Sequence, residues 1–415
     1  MRNSAFWWII VTLMILLDFY VFQAVKVVSQ GASQKIRIGI YTGYWAISVA
    51  AVILLILIPF INYDSWPRSV RTYLFATVVG LFFAKVLAVV FFLLDDVRRV
   101  LQWASSKLFF NNTEGEAIGS EKISRSVFLS WAGLIAGGGL FTTLLYGFSN
   151  KYRYDLRKLQ LAFEKLPSSF RGLRIIHISD IHSGSFTDKE AVQKGIDLIM
   201  QQKPDIILFT GDLVNDRATE MEPYMEVFSR LNAPLGVYST LGNHDYGDYI
   251  RWESTEVKTA NLERLKEVHA ELGWKLLMNE HVIIEKDEHQ IALLGIENWS
   301  AKSNFPKYGQ LQRAYAGSEP HPFKILLSHD PSHWDAEVKA SYPDIDLMLA
   351  GHTHGMQFGV EVPGFRWSPV QYIYKQWAGL YEDGQQKLYV NRGFGFIGYP
   401  GRVGILPEIT LIELV

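Results

Sequence analysis

Four apolar stretches in the first 150 residues limit what this chain can fold into. They run roughly over residues 6–25, 38–61, 72–94 and 127–148. Each is near the ~20 residues that cross the hydrocarbon core of a bilayer. Trp7, Trp8, Tyr44 and Trp45 stand near stretch ends, as interfacial aromatics do. The first stretch is too long for a cleaved signal peptide and shows no small-residue cleavage site, so it reads as a span. Buried helices of a soluble protein are the competing reading, and four runs of this length fit it poorly. The expectation is a transmembrane four-helix region over 1–150 and a separate domain over 151–415.

Charges inside the spans are costly and normally find a partner. Asp18 lies in the first stretch and Lys85 in the third. If all four stretches span, these two run in the same direction and carry their charges at similar depth, so an ion pair is expected. The alternatives are a snorkelling Lys85 or a protonated Asp18. In the fourth stretch, Gly133, Gly137, Gly138 and Gly139 are the small residues that let helices approach closely.

Orientation is balanced. With the N-terminus inside, Arg2, Arg68, Arg71, Arg98, Arg99, Lys107, Lys122 and Arg125 lie inside. Lys26, Lys35, Arg37, Lys151, Arg153, Arg157, Lys158 and Lys165 lie outside. Eight against eight is a tie under the positive-inside rule. The segment SRSVFLS at 124–130 resembles a degraded export signal and leans the second domain toward the extracytoplasmic side of an inner, plasma membrane.

Beyond about residue 151, short β-rich runs alternate with helical stretches at 189–202 and 262–272. Residues 281–297 read as a hairpin and 409–415 as a last strand. This mixture predicts an α/β or α+β domain. Five of its apolar runs end directly in polar residues of one chemical kind. RIIHISDIH supplies Asp180 and His182, DIILFTGD supplies Asp212, and GVYSTLGNHD supplies Asn243, His244 and Asp245. FKILLSHD supplies His329, and DLMLAGHTH supplies His352 and His354. Ligand sites gather at the carboxyl ends of strands in such sheets.

The chain has no cysteine, so thiolate sites and disulfides are excluded. Its net charge of −2 carries no field that calls for nucleic acid. Imidazole and carboxylate groups suit Zn, Fe and Mn. Seven ligand-type groups exceed what one ion needs, and a carboxylate has two oxygens with which to bridge two ions. The remaining histidines, at 177, 269, 281, 289, 321 and 333, fall outside this pattern and read as surface or packing residues.

The ordered motifs D-x-H, G-D, G-N-H-D, S-H and G-H-x-H resemble the calcineurin-like metallophosphoesterase superfamily over about residues 165–415. SDIHSG, TGDLVND, LSHDP, GHTHGMQ and NRGFGFIGYPGRVGILPEIT are most similar to a membrane-associated branch that includes UDP-2,3-diacylglucosamine hydrolases. The resemblance implies an α+β, four-layer α/β/β/α sandwich and two divalent metal ions. It implies a first ion on Asp180, His182, Asp212 and His354, and a second on Asp212, Asn243, His329 and His352. His244 would be the catalytic group at the phosphate, with Asp245 orienting it. The implied activity is hydrolysis of a phosphodiester or pyrophosphate, and the bilayer tether favours a lipid-linked substrate. A catalytically silent membrane scaffold that kept the fold is the alternative. Met356 departs from the pattern, since relatives commonly carry Gly there.

The aromatic stretch at 365–381 reads either as a packed loop and strand or as a membrane-facing rim for an acyl chain. Arg366, Lys375, Arg392 and Arg402 are candidate phosphate binders or, individually, surface charges.

Overall fold

The computed structural model describes residues 5–61, 66–109, 124–303 and 305–415. The chain forms two compact units, Met1–Tyr146 and Gly147–Val415. Arg2 and Lys122, both in the charge count, lie outside the described residues.

The first unit is helical: α1 (Ala5–Val28), α2 (Gln34–Leu57), α3 (Arg68–Phe109) and α4 (Val127–Gly147). All four are long and apolar enough to cross a membrane. The third stretch continues well past its apolar part, so α3 has 42 residues. Its polar end carries Asp96, which accepts from Tyr20 Oη at 2.5 Å, Arg99 at 2.9 Å and Arg125 at 3.2 Å. Arg125, the arginine of SRSVFLS, therefore has a structural partner.

Gly133 and Gly137 pack against α3, where a Cβ would overlap Phe92, Ala88 and Ala84. Gly138 and Gly139 face no neighbour within 4 Å, so only two of the four glycines mark the helix contact.

Asp18 and Lys85 are both buried and form an ion pair. Lys85 Nζ also donates to Ser48 Oγ at 3.1 Å, and Tyr44 Oη donates to the Asp18 carbonyl at 2.7 Å. Helix α2 thus contributes neutral polar groups that equal-depth reasoning about charges did not foresee. Breaking a buried pair leaves one uncompensated charge and costs about 3–5 kcal/mol. Asp18→Asn and Lys85→Met should each lower the melting temperature in detergent. The double variant should lose less than the sum of the two. Strict additivity in this cycle would show that the pair contributes no coupling.

The second unit holds two six-stranded sheets. The first contains β1 (Asp155–Leu161), β2 (Arg174–Ile178), β3 (Ile206–Phe209), β4 (Val237–Ser239) and β5 (Lys275–Leu276). The second contains β6 (Glu280–Lys286), β7 (His289–Gly295), β8 (Lys324–Leu327) and β9 (Leu347–Ala350). A separate hairpin is formed by β10 (Val360–Val362) and β11 (Phe365–Trp367). Strands β12 (Gly379–Asp383) and β13 (Gln386–Val390) extend the second sheet, and β14 (Glu408–Leu414) enters the first. The orders are β1-β14-β2-β3-β4-β5 and β12-β13-β9-β8-β7-β6. Strands β2, β3 and β4 run parallel to one another, as do β8 and β9.

Alternation within each strand explains the layers. Ile175, Leu208 and Ile412 of the first sheet meet Leu293, Ile325 and Leu349 of the second in one core. Ile176, Ile207 and Phe209 face the opposite way, onto Val192, Ile196 and Ile199 of helix Lys189–Gln201 and Leu265 and Val268 of helix Thr255–Glu271. On the outer face of the second sheet, Leu294, Leu326 and Met348 pack on Trp334 and Val338. Strands buried on both faces read as continuous apolar runs. Hence the four layers are helix, sheet, sheet, helix. The expected hairpin at 281–297 is the β6–β7 pair, with Glu280 opposite Gly295.

Candidate metal centre

The loops after β2, β3 and β4 of one sheet and after β8 and β9 of the other converge. They bring together all seven ligand-type residues expected from the sequence. One group is Asp180, His182 and His354, and the other is Asp212, His329 and His352. Within each group the ligand atoms lie within 4.8 Å of one another. Asn243 joins the second group, its Oδ1 2.8 Å from His352 Nδ1. One oxygen reaches both groups: Asp212 Oδ2 is 3.5 Å from His182 Nε2 and 3.2 Å from His329 Nε2.

The backbone is distorted where the ligands sit. Asp180, His182, Asp212, His352 and His354 all have positive φ, between 48° and 70°. Such conformations are uncommon for residues other than glycine and collect at functional sites. The sequence reading assigned turn freedom to the glycines that begin the loops. At Gly242 the need is steric instead, because a Cβ there would overlap the Asp212 carboxylate. Met356 also has a positive φ, 55°, a conformation that Gly adopts at no steric cost.

The donor set fits cations. His182 Nε2 and His354 Nε2 face each other at 3.0 Å, a spacing that either one ring proton or a shared cation would satisfy. The other nitrogen of His182 is buried with no hydrogen-bond partner among the described residues. His329 donates through Nδ1 to the Thr210 carbonyl at 2.7 Å, leaving Nε2 to the centre. His352 meets Tyr374 Oη through Nε2 at 2.9 Å, and that hydroxyl donates to Asp330 at 3.1 Å. Such outer partners fix ring orientation around metals. Burial lowers the His182 and His354 imidazoles below their ordinary value. Burial alone would raise Asp180 and Asp212, but the neighbouring His354 and His329 outweigh it and hold both carboxyls well down. Burial alone would lower His329, but Asp212 outweighs it and pushes that imidazole up to about 10, so a cation entering there displaces a proton, because imidazole ligates only when neutral.

His244 lies at the edge of this cluster. Its ring Nδ1 is 2.8 Å from the Asn215 carbonyl, and its backbone N–H donates to Asp212 Oδ1 at 2.8 Å. Tyr249 covers the ring at a centroid distance of 4.4 Å, while its hydroxyl accepts from Asn243 Nδ2 at 2.8 Å.

Asp245 does not orient the His244 ring. Its carboxylate accepts backbone N–H groups from Asp212 at 2.9 Å, Leu213 at 2.8 Å and Gly242 at 2.8 Å. Buried, with its oxygens taken by these backbone donors, it ties the Asp212 and Asn243 turns together, and the carbonyl of Asn215 orients the histidine. Asn215, Tyr249, Tyr374 and Asp330 were given no role from sequence, although Asn215 lies in TGDLVND, Asp330 in LSHDP and Tyr374 in the aromatic stretch at 365–381.

Two arginines expected at the surface are fully buried. Arg392 pairs with Glu408 and Glu361. Arg402 donates to the carbonyls of Arg392 at 2.8 Å and His354 at 3.2 Å and lies 3.3 Å from His354 Nδ1. Both hold the loops beneath the centre through these terminal nitrogens, while the Nε of each is buried with no hydrogen-bond partner among the described residues. Arg366 bonds the Ala378 carbonyl and Tyr381, and Lys375 is exposed. Of the six other histidines, His177, His269 and His333 are buried packing residues with hydroxyl partners.

Comparison with known proteins gives two family matches. "Probable Calcineurin-like phosphoesterase, transmembrane domain" matches residues 1–151, and "Calcineurin-like phosphoesterase" matches residues 173–356. A Danio rerio "Transmembrane protein with metallophosphoesterase domain" is 31% identical over 263 residues, 62% of this chain and 56% of that protein. "Phosphodiesterase YaeI" of Escherichia coli is 31% identical over 267 residues, 63% of this chain and 88% of that protein. "UDP-2,3-diacylglucosamine pyrophosphatase LpxG" of Chlamydia muridarum is 27% identical over 299 residues, 61% of this chain and 88% of that protein. The chain thus spans little more than half the length of the Danio relative.

Proposed function

This chain belongs to the calcineurin-like phosphoesterase family, and on that premise we propose that it is a membrane-bound, dinuclear-metal hydrolase of a lipid-linked phosphodiester or pyrophosphate. The observation that carries the reading is the single Asp212 oxygen shared by two buried ligand groups. Residues 1–150 anchor the enzyme in the plasma membrane, and residues 151–415 carry the chemistry.

Asp180, His182, Asp212 and His354 would hold one ion, and Asp212, Asn243, His329 and His352 the other, with Mn, Fe or Zn suited to these donors. When bound, the pair supplies Lewis acidity and a water acidic enough to attack phosphorus near neutral pH. The chain's own residues do the rest. Asp212 holds the two ligand groups in register, and Asp245 fixes Asp212 through backbone bonds. His244, with Nδ1 directed at the Asn215 carbonyl, presents Nε2 as the group that protonates the departing oxygen. Tyr249 limits ring rotation by stacking.

The lipid-linked substrate rests on two supports: the four membrane-crossing helices, and a relative named as a UDP-2,3-diacylglucosamine pyrophosphatase. The test compares UDP-2,3-diacylglucosamine with its deacylated counterpart and a soluble aryl phosphodiester, using detergent-solubilised protein loaded with Mn²⁺. The acylated substrate should give the highest kcat/KM. Equal values with and without acyl chains would contradict the lipid-linked assignment. Cleavage of none by fully metallated protein would favour the silent scaffold.

A further inference from the structure

The β10–β11 hairpin belongs to neither large sheet, and its polarity is inverted. In its register Val360 pairs with Trp367, Glu361 with Arg366 and Val362 with Phe365. The Glu361 and Arg366 face points inward: Glu361 bonds Arg157 at 2.8 Å and Arg392 at 2.7 Å, and Arg366 bonds Ala378 and Tyr381. The apolar face points outward, with Val360 45%, Val362 52% and Phe365 57% exposed. Tyr372 and Ile373 extend it, 77% and 52% exposed, and Tyr372 lies 3.4 Å from the Trp367 indole nitrogen. An isolated two-stranded hairpin is marginal in water, and a contiguous exposed apolar patch marks an interaction surface.

The foot of the hairpin indicates what covers it. Gly359 N–H donates to the Val403 carbonyl at 2.9 Å, and Gln357 Nε2 donates to the Tyr399 carbonyl at 2.7 Å. The adjoining Arg402 N–H donates to the carbonyl of Gly147 at 2.9 Å, and Asn150 Nδ2 donates back to the Arg402 carbonyl at 3.2 Å. Gly147 is the last residue of α4, and the apolar span runs through Asn150. The patch is therefore tied, through one short loop, to residues 147–150 at the C-terminal end of that apolar stretch. Trp and Tyr beside aliphatic residues is the composition favoured at the bilayer interface.

We infer that the β10–β11 hairpin and the adjoining Tyr372–Ile373 turn insert into the lipid headgroup layer. Interfacial elements bury their apolar face about 5–10 Å into the headgroup–acyl boundary. The patch is bracketed in sequence by His354 and by Tyr374, which meet the metal-ligand cluster at its two groups. Insertion would hold the mouth of the centre at the lipid surface. The inference extends the lipid-linked reading, but it is tested by contact rather than turnover, so the two can fail separately.

The absence of cysteine makes site-specific labelling direct. Val362→Cys and Phe365→Cys would each carry a polarity-sensitive fluorophore, with Glu263→Cys on an exposed helical position as the reference. The full chain would be reconstituted in vesicles of phosphatidylethanolamine and phosphatidylglycerol. Labels at 362 and 365 should shift to the blue, resist aqueous iodide and be quenched by lipids spin-labelled near the headgroup. The label at 263 should respond to iodide alone. Iodide quenching at 362 and 365 matching that at 263 would overturn the inference. So would protection from iodide without lipid quenching, which would assign the face to a second copy of the chain.

Discussion

Asp212→Asn is expected to abolish phosphodiester hydrolysis, by about 10²–10³-fold or more, and to lower the content of both metals while leaving the fold intact. The replacement keeps size and one carbonyl oxygen, so the acceptor for the His244 N–H at 2.8 Å is retained. What it removes is the charge of the only side chain, among the described residues, whose single oxygen lies within 3.5 Å of imidazoles in both ligand groups. Circular dichroism and melting temperature control for folding, and elemental analysis reads the metals. Wild-type turnover in this variant would contradict a bridging role.

His244→Ala separates chemistry from metal binding. The ring lies outside both ligand groups, so both ions should remain. Turnover should fall by about 10²–10⁴-fold, the usual scale for a lost proton donor. A substrate with a leaving group too acidic to need protonation should be hydrolysed with a much smaller defect. Loss of metal in this variant would make His244 a ligand instead. An equal defect for good and poor leaving groups would assign it to binding alone.

The positions of the ligand residues were legible in the sequence for a simple reason. Strands such as β3 and β9 are buried on both faces, so their apolar runs are unbroken and the first polar residues after them mark the sheet edge. The layer order came from the family resemblance alone. The ligand conformations were not legible. Five of the ligand-type residues take left-handed backbone angles, which Asp and His adopt more readily than most residues but still only in a small minority of cases. The role of Asp245 was misread because its partners are backbone N–H groups, which sequence does not display. Arg392 and Arg402 look like surface residues until their acceptors, drawn from Glu408 and from carbonyls, are in place. In the first unit, two opposite charges at equal depth were enough to predict the Asp18–Lys85 pair. The contribution of Ser48 and Tyr44 was hidden because neutral polar residues in an apolar helix carry no such signal.

The hairpin at 360–367 shows the same limit from the other side. The aromatic stretch at 365–381 was read either as a packed loop and strand or as a membrane-facing rim, and the hairpin overlaps it at Phe365–Trp367. Glu361 and Arg366 are packed inward while Val362 and Phe365 face out. Period-two alternation was present, but the usual rule of apolar residues inward gives the wrong face here.

The central claim is that one carboxylate joins two metal sites. It is tested most directly by counting divalent ions in the purified full-length protein by mass spectrometry and titrating phosphodiesterase activity against metal content. The account predicts two ions per chain, with activity appearing only as the second site fills. Full activity at one ion per chain would contradict it.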